Sequence, residues 1–150
     1  MLTNTNWDPL TRLELHQCAK DYVKSLFVKY GFEVSLADGN YRYSLLMVRT
    51  DGNSLYTVKV RAVRNRNYIF ERKDKFQLRD DLYIAAAYFH NGEAPEIYLV
   101  PSTVWQTPNA LFVGPDYIGK ASSPEWGIRR SERTLPLLQP YRFDTMVRTL

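Results

Sequence analysis

Residues 55–66 read LYTVKVRAVRNR, and their alternating pattern predicts a β-strand that runs into a cluster of arginines. Successive side chains of a strand point to opposite faces. One face of this strand therefore carries an aromatic ring and two valines, and the other carries Thr57, Lys59 and Arg61. Because residues i and i+2 of a strand stand about 7 Å apart on one face, Lys59 and Arg61 place two cations side by side. How this cation pair is used determines the interpretation of the whole chain.

The segment before this strand predicts one long helix and two further strands. Asp8 and Pro9 are typical of a helix start. Apolar residues from Leu15 to Tyr30 then recur at spacings of three and four, and Gly31 ends the pattern. The stretches FEVSL (32–36) and YRYSLLMVRT (41–50) follow as strands, and DGN at 51–53 predicts a hairpin into the cationic strand.

The segment after it predicts more strands and then irregular structure. LYIAAAYF (82–89) and EIYLVP (96–101) are typical of buried strands, and NYIFE (67–71) of a short one. PSTVW (101–105) predicts a helical turn, residues 106–135 are rich in Gly, Pro and Ser, and PYRFDTMVRTL (140–150) predicts a short helix. We therefore expect a single α/β domain over residues 1–150, with a mixed central sheet, a long N-terminal helix and an irregular C-terminal extension from about residue 106.

Composition restricts the class of protein. A chain of 150 residues with 45% hydrophobic residues can form one domain with a hydrophobic core. No apolar run approaches the roughly 20 residues that cross a bilayer, so we expect no membrane association. Cys18 is the single cysteine, which excludes an internal disulfide and favours a reducing cytoplasm. One cysteine and two histidines do not make a common zinc site.

Positive charge is concentrated in the middle of the chain. Ten Lys and Arg residues and three acidic residues lie between Arg42 and Arg79, which gives this segment a local charge of +7. Such asymmetry favours an anionic partner. The alternative is a solvated basic face without a ligand.

Several catalytic motifs are absent from the sequence. There is no G-x-S-x-G elbow, no Walker-type lysine loop and no G-x-G-x-x-G. The order of elements carries more information. The long helix, followed by YGFEV (30–34), YRYSLLMVRTDG (41–52) and LYTVKVRAV (55–63), resembles the core of the P-D-(D/E)-x-K nuclease superfamily, which has the restriction-endonuclease-like fold. DLYIAAAYFHNGEAPEIYLVPSTVW (81–105) is similar to the continuation of that core in small members.

The resemblance implies a metal site whose residues have changed. The family's Asp on the second strand falls on Ser44, its acidic residue on the third strand falls on Lys59, and its Lys falls on Arg61. A helix acid found in many members falls near Lys20, with Glu14 and Asp21 close by. Mg²⁺ requires oxygen ligands, which Lys59 does not offer, and Arg61 remains protonated and is a poor base.

The interpretation that follows is a nuclease-like domain without catalysis or a cofactor, which acts as a nucleic-acid-binding or regulatory module. The residues expected to contact DNA or other nucleic acid are Lys59, Arg61, Arg64, Arg66, Arg72 and Lys73. One alternative is an active Mg²⁺-dependent endonuclease with relocated ligands, for instance Asp51 with Glu71 or Asp21. A second is a structural or regulatory oligomer such as a homodimer, which the 14% aromatic content favours. Without the resemblance, the cations are simply the solvated face of a half-buried sheet.

Overall fold

Residues 4–36 and 45–150 are described by the structure, a computed structural model, and they confirm the expected α/β class. A long N-terminal helix is followed by a mixed five-stranded sheet and a separate small sheet of three strands. The helices are α1 (Arg12–Lys29), α2 (Leu135–Leu138) and α3 (Phe143–Met146), and the strands are β1 (Glu33–Leu36), β2 (Leu45–Arg49), β3 (Leu55–Arg64), β4 (Ile69–Arg72), β5 (Leu82–Phe89), β6 (Glu96–Pro101), β7 (Phe112–Val113) and β8 (Glu125–Ile128).

Helix α1 begins three residues later than Asp8 and Pro9 indicate. Thr11 is the capping residue: its hydroxyl accepts the amide of Glu14, and the Glu14 carboxylate accepts the amide of Thr11. This reciprocal pair satisfies two of the otherwise unpaired donors of the first turn, which Asp8 does not do. The helix ends as expected, with Tyr30 as its C-cap residue and Gly31 in the left-handed region at a φ of 90°.

The large sheet has the strand order β1-β2-β3-β5-β6, in which only β3 and β5 run parallel. The predicted hairpin is confirmed, because β2 and β3 are antiparallel and Asn53 adopts a φ of 68° in the connecting turn. Parallel strands need a crossover between them. Residues 65–81, which include β4, supply it.

The two faces of the large sheet are covered differently. Helix α1 buries Ala19, Val23 and Phe27 against Val58 and Val60 of β3. On the opposite face the small sheet, in the order β4-β8-β7, covers β5 and β6. Because β5 is covered on both faces, every one of its residues is buried. The same face of β1, β2 and the start of β3 has little cover, since Ser35, Arg49 and Leu55 are exposed there. Strand β3 therefore lies at the border between a covered and an uncovered area.

Residues 106–135 contain more regular structure than their composition predicts. Strands β7 and β8 lie within them, and NYIFE pairs with β8 instead of joining the main sheet. These strands are only two to four residues long, so alternation is too brief to be read in the sequence. They form because Trp105, Phe112 and Ile128 pack in the second hydrophobic cluster.

Candidate functional site

The side chains of β3 alternate as the sequence predicts. Val58, Val60 and Ala62 are buried beneath α1. Lys59 and Arg61 point to the other face and are partly exposed, with 22% and 29% of their side chains accessible. The two predicted cations are thus neighbours at the border of the uncovered face.

A buried carboxylate joins the two cations. Lys59 Nζ donates to Oε2 of Glu71 at 2.7 Å, and Arg61 Nη1 lies 3.5 Å from Oε1 of the same residue. Only 5% of the Glu71 side chain is accessible. Because a buried carboxylate is strongly disfavoured without compensating charge, Glu71 accounts for a pair of cations at this place. The sequence alone does not show this contact, since Glu71 reaches the site only when the crossover folds back over β3.

His16 contacts β3 next to this cluster. Among the described residues, the pairing of β2 with β3 extends from Leu55 to Lys59, and farther along β3 His16 Nε2 accepts the amide of Ala62 at 3.4 Å. Its Nδ1 then carries the proton and donates to the Arg12 carbonyl at 3.2 Å. Burial lowers the pKa of His16 below its ordinary value. The hydrogen bond to the Arg12 carbonyl raises this pKa, and the nearby Arg61 guanidinium lowers it further. The ring is therefore held neutral at neutral pH.

The remaining predicted nucleic-acid contacts have partners within the protein. Arg64 donates to the carbonyls of Trp7 and Leu10, which fixes the segment before α1 to the end of β3. The other three cations face carboxylates: Arg66 lies 3.8 Å from Glu132, Arg72 donates to Asp74 at 2.7 Å, and Lys73 donates to Asp116 at 2.7 Å.

These contacts reduce the charge that the sequence indicates for this surface. Five of the six cations face four carboxylates and Arg64 faces backbone carbonyls, so the six together retain a net charge of +2. Two of the carboxylates, Asp116 and Glu132, come from far along the chain. Arg66 and Arg72 are nevertheless about half exposed, and their partners are exposed as well. Exposed ion pairs of this kind are weak and exchange readily with other anions.

The structure describes only some of the positions that the resemblance assigns to the nuclease motif. Lys20 is buried on α1, one helical turn after His16 and on the same side of the helix. Lys59 and Arg61 are adjacent to Glu71, as described above. Ser44 lies outside the described residues, so its convergence with Lys59 and Arg61 stays a prediction.

The residues suggested as relocated metal ligands do not lie together. Asp51 is exposed in the turn that joins β2 and β3, past the end of their pairing, whereas Glu71 lies beside Lys59. Asp21 is exposed on α1 and accepts the amide of Gln17. Within residues 4–36 and 45–150, no three His, Cys, Asp or Glu side chains form a group that could hold a metal ion.

A second buried polar cluster was not indicated by the sequence. Arg130 lies against the rings of Tyr88 and Tyr98 and donates to both oxygens of Glu96 at 3.0 and 3.1 Å. His90 Nε2 lies 2.9 Å from Glu96. Burial by itself raises the pKa of Glu96. Hydrogen bonds from Arg130 and Tyr98 outweigh this effect and hold the pKa below its ordinary value. These residues join β5 and β6 to the segment after β8, and no local pattern marks Arg130 as buried.

Comparison with protein-family models, curated proteins and solved structures finds no match for this chain. In the part of the chain that the structure describes, no helix is long and apolar enough to cross a bilayer. Functional inference therefore depends on the side chains of the molecule itself.

Proposed function

We propose that the chain is a nuclease-like domain of the restriction-endonuclease type that has no metal-dependent activity and binds nucleic acid through the basic surface around β3. The observation that carries the proposal is the set of cations on β3 and the crossover that follows it. Lys59 and Arg61 are adjacent and partly exposed at the border of the uncovered sheet face, and Arg66 and Arg72 are about half exposed. In a nuclease of this type, the same strand would present a carboxylate toward a metal ion.

The charge around Lys59 supports the absence of a metal ion. A divalent cation at this position would face Lys59 and Arg61, and the carboxylate of Glu71 is already bound to both. Mg²⁺ usually needs one or two carboxylates that it does not share with fixed cations. Arg61 also cannot act as a proton acceptor at neutral pH, because its guanidinium is always charged.

The exposed cations support binding to a polyanion. Arg66 and Arg72 can exchange their exposed carboxylate partners for phosphates at little cost. The uncovered sheet face also has a shallow depression of about 320 Å³ lined by Glu33, Met47 and Arg49, at the end of β3 opposite to Arg66. No base-reading element is evident on this surface, so we expect contacts with phosphates and little sequence preference.

The test is binding of labelled duplex and single-stranded DNA at several salt concentrations, followed by fluorescence anisotropy. With two or three phosphates engaged, log K should fall with log salt by a slope of about −2 to −3. The variant Arg72→Gln should reduce the slope by about one unit. Arg148→Gln, an exposed cation near the C-terminus, is the matched control for net charge. An absence of binding at low salt, or an equal effect of the two variants, would contradict the proposal.

Metal-dependent cleavage is tested on the same protein. Supercoiled, linear, single-stranded and branched DNA are incubated with Mg²⁺ or Mn²⁺, and we expect no cleavage. Cleavage that is lost in Asp51→Asn or Glu71→Gln would favour the alternative of an active endonuclease with relocated ligands.

A further inference from the structure

The contact of Glu71 with Lys59 and Arg61 has the arrangement of a bound phosphate group. Two oxygens of one anion face two cations that are adjacent on a strand, at 2.7 Å and 3.5 Å. A backbone phosphate would present two oxygens to Lys59 and Arg61 in a similar way. Glu71 therefore occupies the place that a nucleic-acid phosphate would take between them.

The Glu71 contact is stronger on one side than on the other. Oε2 accepts a short hydrogen bond from Lys59, whereas Oε1 is buried and accepts no hydrogen bond from the described residues. Arg61 is therefore held by charge attraction at 3.5 Å. About a quarter of each cation side chain is accessible, so an anion from solution can reach both of them.

An internal carboxylate competes efficiently with a ligand in solution. Strand β4 holds Glu71 in place by pairing with β8, where Trp126 lies directly opposite. Glu71 therefore binds the two cations without the loss of translational freedom that accompanies binding of a separate anion. The effective concentration of its carboxylate at this place is high. A weak, sequence-independent ligand cannot displace it easily.

We propose that Glu71 is an internal competitor of nucleic-acid phosphate, and that it keeps Lys59 and Arg61 out of the binding surface of the native chain. This inference rests on the proposed nucleic-acid binding, and it restricts the native contacts to the cations at the rim. Lys59 and Arg61 join the surface when the charge of Glu71 is removed or its side chain is displaced.

The experiment compares Glu71→Gln with the native chain in the DNA-binding assay. The amide keeps the size of the side chain and removes the charge, so Lys59 and Arg61 become available to phosphates. For each phosphate gained we expect a slope steeper by about 0.9 and an affinity about eightfold higher at 0.1 M salt. Glu93→Gln makes the same change of net charge at an exposed turn residue, and it should leave the slope unchanged.

A second arm does not depend on the folding of Glu71→Gln. In the native chain Lys59 contacts Glu71 instead of DNA, so Lys59→Gln should leave the salt slope unchanged, whereas Arg72→Gln reduces it by about one unit. A slope that falls equally in both variants would overturn the inference. Native binding with no gain in Glu71→Gln would also overturn it while leaving the proposed function intact. If neither protein binds at low salt, both proposals are wrong.

Discussion

Removing the charges of the Lys59–Glu71–Arg61 cluster should destabilise the protein unequally. The double variant Lys59→Met with Arg61→Met leaves the Glu71 carboxylate, 5% accessible, without a compensating charge. Breaking a buried ion pair in this way costs about 3–5 kcal/mol. Glu71→Gln instead leaves two cations that already reach solvent. We expect this variant to cost about 1.5–3 kcal/mol, the value of a hydrogen bond to a charged group.

Urea unfolding monitored by tryptophan fluorescence measures both costs, because Trp105 is buried in the cluster that covers this face. The control is Lys24→Met with Arg148→Met, which removes one Lys and one Arg from exposed positions. Each of its changes should shift the free energy of unfolding by no more than about 0.5 kcal/mol. The reasoning would be refuted if Glu71→Gln were as destabilising as the double variant, since the buried carboxylate would then not dominate the energetics.

Three further predictions concern stability. The pKa of His16 is lowered in the folded protein, so the neutral ring stabilises the fold. This contribution is complete above the ordinary histidine pKa and is lost as pH falls through the folded value. Urea titrations from pH 7.5 to 5 should therefore show a falling free energy of unfolding, and the fall should be smaller in His16→Gln. Gly127→Ala should be strongly destabilising or displace Tyr68, since an added Cβ would clash with the Tyr68 hydroxyl, and loss of thermal stability would reveal it. Phe27→Ala should cost about 3–5 kcal/mol in urea unfolding because the ring is fully buried beneath β3. An unchanged midpoint for either substitution would contradict the packing described.

Elements with a long repeating pattern could be predicted from the sequence. Helix α1 extends over 18 residues and β5 is apolar throughout, so many residues agree on each assignment. The hairpin between β2 and β3 follows from its turn sequence. The start of α1 was less predictable, because Asp8 and Thr11 are both good capping residues. The reciprocal contact between Thr11 and Glu14 decides between them.

The second sheet could not be predicted because its strands depend on tertiary contacts. Strand β4 has four residues, and half of them are buried only because β8 lies beside it and the main sheet beneath it. The partner of β4 follows more than fifty residues later in the chain. A short segment with such a distant partner carries little local information about its conformation.

At the candidate site, too, the cations could be predicted from the sequence but their compensation by distant acids could not. The cations could be read from the sequence, and their alternation on β3 correctly placed Lys59 and Arg61 on one face. The acids that compensate them could not, because Asp116 and Glu132 reach the basic segment only through the small sheet and the loop after it. The six cations expected to contact nucleic acid thus retain a net charge of +2 once their four carboxylate partners are counted, and the expected number of phosphate contacts falls accordingly. Charge asymmetry along a chain therefore gives an upper limit for the number of cations that can contact a partner. The fold determines how many of these cations are compensated by internal carboxylates and how many remain available.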